Sequence, residues 1–115
     1  MITAVPPQVD LVKDNGHQYF IRHLDTNQDT HVPVSSKAQA AFVLAVICDD
    51  HPRGQRLCAE AGMLQACVQQ LPEAQRVARA EGDTLLLQWL LLAIGKLCEN
   101  SVEVWVARQQ RDDFV

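Results

Sequence analysis

The sequence predicts an all-α protein, and three observations carry that prediction. Apolar residues recur at three- and four-residue spacing along nearly the whole chain, with little strand-like alternation and only 5% aromatics. Stop and start signals (Asn15-Gly16, Asp49-Asp50-His51-Pro52 and Gly62) cut this pattern into short helices joined by tight turns. Two strongly apolar stretches, AAFVLAVICDD and LLLAIGKLCEN, share a faint likeness. They begin at Ala40 and Leu90, a separation slightly above the ~40–47 residues of one HEAT or armadillo period. The expected architecture is a HEAT/armadillo-like right-handed α-solenoid segment, ahead of a compact helical bundle. Residues 1–115 form a single helical-repeat unit in this reading, a fragment of a larger multidomain protein.

The elements follow in chain order. A short helix is expected at Val9–Lys13, stopped by Asn15-Gly16 in a left-handed cap. His17–Leu24 follows, and Asp25–Val34 reads as a polar loop with Pro33 inside it. Ser35 or Ser36 is expected to cap a helix running to about Asp49, apolar on nearly every side and therefore buried on most of them. The residue before a proline is steered out of the helical region, so His51-Pro52 ends that helix. Pro52 suits the first turn of the next one, which extends to about Ala61. Gly62 separates it from a helix over Met63–Leu71. Residues 72–83, charged and alanine-rich, are expected as a loop or insertion, with a helical extension as the other reading. Asp83 or Thr84 caps a last strong helix through Leu97 or Cys98. Asn100 or Ser101 breaks it before a short helix at Val102–Gln110, with Val102, Trp105 and Val106 on one side.

Composition narrows the function. Apolar residues make up 48% and charged residues 21%, which describes a folded chain rather than a disordered one. A net charge of −4 speaks against nucleic acid and anionic membranes as partners. No apolar run approaches the roughly 20 residues a membrane helix needs, so no membrane insertion is expected. The N-terminus lacks a basic start with an apolar core, and the four cysteines contain no C-x-x-C pair. Both features suit an intracellular, reduced chain.

The patterns that suggest chemistry fail on their details. Asp25-x-Asn27-x-Asp29 opens like a calcium loop, but Thr30 stands where glycine makes the turn and Ser36 where a glutamate closes the site. His17, His23, His31 and His51 lack the close Cys or His pairs of structural zinc sites. Cys48, Cys67 and Cys98 lie in apolar stretches, where cysteine is a small core residue. Cys58 with His51 would be the thiol–base pair of an enzyme, yet no oxyanion loop or orienting partner accompanies it. No phosphate-binding glycine loop or nucleophile elbow occurs. The expectation is no enzyme and no cofactor; the alternative is a self-contained metal-dependent or thiol enzyme on a helical bundle. Trp89 reads as a packing residue within the leucine-rich helix. The turn at Asp49, Asp50, His51 and Arg53, with Gln55, supplies the candidate exposed protein contacts, because it is polar and sits between two buried helices.

Five segments together resemble a known family: Asp10–His17 leading into Tyr19-Phe20-Ile21, Ala40–Ile47, Arg53-Gly54-Gln55 with Cys58, Leu87–Leu90, and Gly95–Asn100. In this order they are similar to the start of the helical-repeat region of the raptor family, the regulatory-associated subunits of TOR complex 1. The resemblance runs from about Val9 to Val106. It implies a non-catalytic scaffold that docks on the TOR kinase and presents substrates to it. It also implies recruitment by Rag-type GTPases from the cytoplasm to the lysosome or vacuole. Relative to the family pattern, residues 72–84 look inserted, and Cys98 replaces a common aromatic. The caspase-like domain, the rest of the solenoid and the propeller of family members have no counterpart in the chain. An apolar Val102, Trp105 and Val106 face, left without its next repeat, is expected to make the isolated segment weakly cooperative or self-associating.

Overall fold

A computed structural model of the chain describes residues 15–25 and 32–112, with side chains through residue 99. Five helices make up the described part: α1 (Gly16–Leu24), α2 (Val34–Cys48), α3 (Pro52–Glu60), α4 (Met63–Glu81) and α5 (Leu85–Asp112). No strand occurs among the described residues, in keeping with the all-α expectation. The short helix expected at Val9–Lys13 lies outside them, as do Asn27, Asp29 and His31 of the calcium-loop-like stretch.

The most extensive helix contact joins α2 to α5. Alanines explain how close it can be: Ala38, Ala40, Ala41 and Ala45 are all buried on α2, along with Leu44, Ile47 and Cys48. Only Ser35, Gln39 and Phe42, at four- and three-residue spacing, face solvent on that helix within its first three turns. From α5, Leu86, Leu90, Ala93 and Leu97 enter the same core. α1 packs on α2 and α4, and α3 lies against α2 and α5. One contiguous cluster results, completed by Leu24, Cys58, Met63 and Cys67.

Three boundaries differ from the sequence expectation. Neither Ser35 nor Ser36 caps α2; the Pro33 carbonyl accepts the Ser36 and Lys37 N–H groups at 3.0 and 3.1 Å. The extended Pro33 backbone (φ −60°, ψ 148°) places its carbonyl to begin the helix without a side-chain cap. Residues 72–81, expected as a loop with a helical extension as the other reading, are helical and continue α4 to Glu81. Glutamate, alanine, glutamine and arginine are strong helix formers, and Ala74 and Val77 are buried on the inner face. Together these offset the ~3 kcal/mol that a proline such as Pro72 costs inside a helix. Gly82 (φ +72°) then stops α4, donating its N–H to Ala78 O at 3.1 Å. The break expected at Asn100 or Ser101 is absent, and α5 runs on to Asp112 without a separate helix at Val102–Gln110. Asn and Ser are weak helix formers rather than breakers, and no proline or further glycine interrupts the stretch. The side chains of Val102, Trp105 and Val106 lie outside the described residues.

The remaining boundaries match. Gly62 takes φ +90° between α3 and α4, the left-handed conformation that glycine adopts without strain. Asp83 supplies the cap of α5 through Oδ1, which accepts the Leu85 N–H at 3.1 Å.

Candidate partner-binding surface

The α2–α3 turn is built by three backbone conformations in succession. Asp49 is extended, Asp50 is left-handed at φ +50°, and His51 (φ −138°) leads into Pro52 at the first position of α3. Asp49 and Asp50 are therefore exposed, as is Arg53. Asp49 meets Lys96 of α5 in an ion pair of 2.9 Å. The Lys96 ammonium is held above its ordinary pKa, chiefly by that hydrogen bond to Asp49 and by the attraction of the same carboxylate. His51 is half-buried and donates through Nδ1 to Ile47 O at 3.2 Å.

Gln55 corrects the expectation of an exposed contact. It is 3% exposed, and its Nε2 donates to Cys48 O at 2.9 Å and to Lys96 O at 2.8 Å. Its amide thus ties the end of α2 to the middle of α5. The neighbouring Gly54 permits this approach, since a Cβ there would lie 2.8 Å from Ile47 O and collide with the His51 ring. The turn therefore presents Asp49, Asp50 and Arg53 outward on a base locked by Gln55 and Gly54.

Beyond the Asp49–Lys96 pair the surface turns apolar. Phe42 of α2 packs on Trp89 of α5 with ring centroids 4.8 Å apart, and Phe42 keeps 43% of its surface exposed. Leu85 and Leu92 stand on the same side of α5 as Trp89 and Lys96, and both are exposed. Leu91, more than half exposed, borders them. An apolar stripe along one helix pair, ending in a charged turn, has the composition of a contact surface.

The interior polar groups are structural. Lys37, 7% exposed, donates to Gln70 Oε1 at 3.1 Å and to Glu73 Oε1 at 3.3 Å. Gln70 Nε2 in turn donates to Leu24 O at 2.7 Å, so three helices share one network. Cys48, Cys58 and Cys67 are buried as free thiols, and Cys98 is half-buried. The Cys48 thiol is pushed up by its hydrogen bond with Cys58 and by burial, while that same bond lowers Cys58. Burial pushes Cys67 up to about 12. Among the described residues no three His, Cys, Asp or Glu side chains gather as a metal site. None of their helices is long and apolar enough to cross a membrane.

No family model matches the chain. Known proteins do. It is 45% identical over 107 residues, 93% of its length, to "Regulatory-associated protein of TOR 1" of Arabidopsis thaliana. It is 53% identical over 97 residues, 84% of its length, to "Regulatory-associated protein of TOR 2" of Oryza sativa subsp. japonica. The chain is raptor-like. The similarity reaches the fungi: "Target of rapamycin complex 1 subunit mip1" of Schizosaccharomyces pombe is 37% identical over 100 residues, 84% of the chain. This raptor-like chain spans 8%, 7% and 7% of those three proteins, respectively.

Proposed function

We propose that the chain is a non-catalytic scaffold segment of a TOR complex 1 regulatory subunit. Its similarity to proteins named as TOR-associated regulators and as a TOR complex 1 subunit carries this reading. In this reading the helices are consecutive layers of a right-handed HEAT/armadillo-like solenoid, a shape whose repeats offer an extended surface for partners. In this reading the TOR kinase or a neighbouring subunit covers the Phe42–Trp89–Leu92 stripe. The carboxylates of Asp49 and Asp50, with His51 and Arg53, set orientation at its end. Substrates of the kinase and Rag-type GTPases are the further partners, and the latter bring the cytoplasmic complex to the lysosome or vacuole surface. Gln55 serves this surface from beneath, by holding the turn in place.

The test is a transplant. The chain replaces the matching 107 residues of the Arabidopsis protein, and co-precipitation of TOR kinase is measured for the chimera and for its Asp49→Arg/Asp50→Arg variant. Retained kinase in the chimera and reduced kinase in the variant, at equal melting temperature, is the expected result. Loss of kinase from a chimera that melts like the parent protein overturns the proposal.

A further inference from the structure

The outward face of α5 has a relief that matches one kind of occupant. Past Leu92 the face dips at Gly95, where an added Cβ would meet nothing within 4 Å. The dip is a notch of about 310 Å³ lined by Leu91, Leu92, Gly95, Lys96 and Glu99. Leu92, Gly95, Lys96 and Glu99 stand at positions i, i+3, i+4 and i+7. Four residues in that relation form the hole that receives a side chain of a facing helix in knobs-into-holes packing. The relation recurs one heptad earlier in Leu85, Gln88, Trp89 and Leu92, about 10.5 Å along the axis. A third hole lies between these two, at Gln88, Leu91, Leu92 and Gly95. None of these residues is buried, so three holes in three-and-four succession face outward.

Charge narrows the occupant. Lys96 is paired with Asp49 at 2.9 Å. Its ammonium is held above the ordinary pKa by Asp49 first, and by Glu99 and Asp50 as well. Three carboxylates thus surround one ammonium, and the Lys96 end of the row is left acidic. Arg53, on the same turn, lines the cleft beside Asn15 and His17 instead. A second copy of the chain fits this pattern badly. In a two-fold pair the α5 helices run parallel, with acidic end on acidic end, or antiparallel, with the acidic end on the exposed Glu81 and Asp83. Like charges meet in both arrangements.

We propose, building on the reading of this stripe as a partner surface, that the row receives one amphipathic helix of another protein. Its apolar side chains, at three- and four-residue spacing, enter the three holes, with a large one over Gly95. Its lysine or arginine side chains meet Asp50 and Glu99.

The probes are three capped peptides with leucines at heptad spacing: Ac-KLKALAQQLAQLQAQLKK-NH2, the same sequence with glutamate for every lysine, and the same with glutamine. Each is titrated to about 1 mM into the full isotope-labelled chain and followed by NMR. We expect saturable shifts at Leu92, Gly95 and Glu99 with the lysine peptide, and binding at least about five-fold weaker for the glutamate peptide. Asp50→Asn/Glu99→Gln should remove most of that preference, since both carboxylates are exposed and asparagine tolerates the left-handed backbone at position 50. Gly95→Leu fills the notch at a position with open space around it. It should weaken the lysine peptide about ten-fold or more while the melting temperature stays level or rises. Absence of saturable shifts, shifts mapping away from the row, equal affinity for the lysine and glutamate peptides, or unchanged binding by Gly95→Leu overturns the proposal. So does a dimer in sedimentation that Gly95→Leu abolishes, which would assign the row to a second copy. No component of TOR complex 1 enters this test. Peptide binding alongside a chimera that loses the kinase supports the helix site and removes the kinase reading; a kinase-retaining chimera with no peptide binding does the reverse.

Discussion

Replacing Gln55 with leucine isolates what its amide does, because the two side chains are similar in volume and differ in hydrogen bonding. In the native chain Nε2 donates to Cys48 O and Lys96 O at 2.9 and 2.8 Å. The Lys96 carbonyl sits inside α5, where helix geometry already gives it a partner, so losing the second donor there costs little. The Cys48 carbonyl is at the end of α2, and its remaining backbone bond, from the His51 N–H, is long at 3.4 Å. Burying it with that weak partner alone costs about 1–3 kcal/mol. A leucine side chain recovers part of this through apolar burial, about 0.8 kcal/mol per methylene. The expected net loss for Gln55→Leu is about 1–2 kcal/mol. Gln55→Glu should cost more, about 3 kcal/mol or above, because a carboxylate would face two carbonyl oxygens in the interior. Equilibrium urea unfolding with matched slopes reads both values. The Leu variant matching the wild type within about 0.3 kcal/mol, or the Glu variant proving the milder, refutes the view of Gln55 as an anchor between α2 and α5.

Gly54→Ala should destabilise by about 1–3 kcal/mol through overpacking against Ile47 O and the His51 ring. It does so although alanine is intrinsically the better helix former by about 1 kcal/mol; a rise in melting temperature would contradict the close approach. Glu73→Ala should cost more than Lys37→Met in thermal unfolding. The first leaves a buried ammonium with no counter-charge and only the neutral Gln70 oxygen as partner, whereas the second leaves behind a carboxylate that is 38% exposed and able to reach water. The reverse order would sink that assignment. Stability should fall in alkaline solution. The Cys67 thiol stays protonated in the fold up to about 12 while an unfolded thiol ionises near 9.0, so the unfolded chain binds fewer protons across that window. The loss present as pH rises past 9.0 should be shallower in Cys67→Ala, and an unchanged pH slope would show the thiol is not responsible.

The parts of the fold legible in the sequence were those set by local chemistry. His51-Pro52 ends one helix and opens the next because proline constrains both itself and its predecessor, and Gly62 takes its positive φ whatever surrounds it. What local chemistry leaves undecided went the other way. Residues 72–81 have good helix propensity but contain Pro72, and the balance rests on Ala74 and Val77 finding a core. Asn100 and Ser101 disfavour a helix only weakly, so they do not end α5. The burial of Gln55 is not legible locally, because a polar residue next to a turn is ordinarily solvated and its second acceptor is 41 residues away. A signal was present nonetheless. Gly54 and Cys58 flank it as small residues one turn apart, the mark of a helix face pressed against a neighbour. His17 belongs to the same category, since a histidine opening an amphipathic helix gives no sign that its Nδ1 ends up buried.

The uninterrupted course of α5 gives the molecule a lever. From Leu90 in the core, Lys96 lies about 9 Å along the helix axis and Asp112 about 33 Å, at 1.5 Å per residue. A rigid tilt about Leu90 that carries the far end by about 3 Å would shift the Lys96 carbonyl by about 0.8 Å. The Gln55 bond to that carbonyl is 2.8 Å long, and stretching it by this much takes it past the useful range of a hydrogen bond. A load applied at the C-terminal end of α5 would thus be felt first at the link between Gln55 and α5, while the Gln55 bond to Cys48 O keeps the Asp49–Arg53 turn attached to α2.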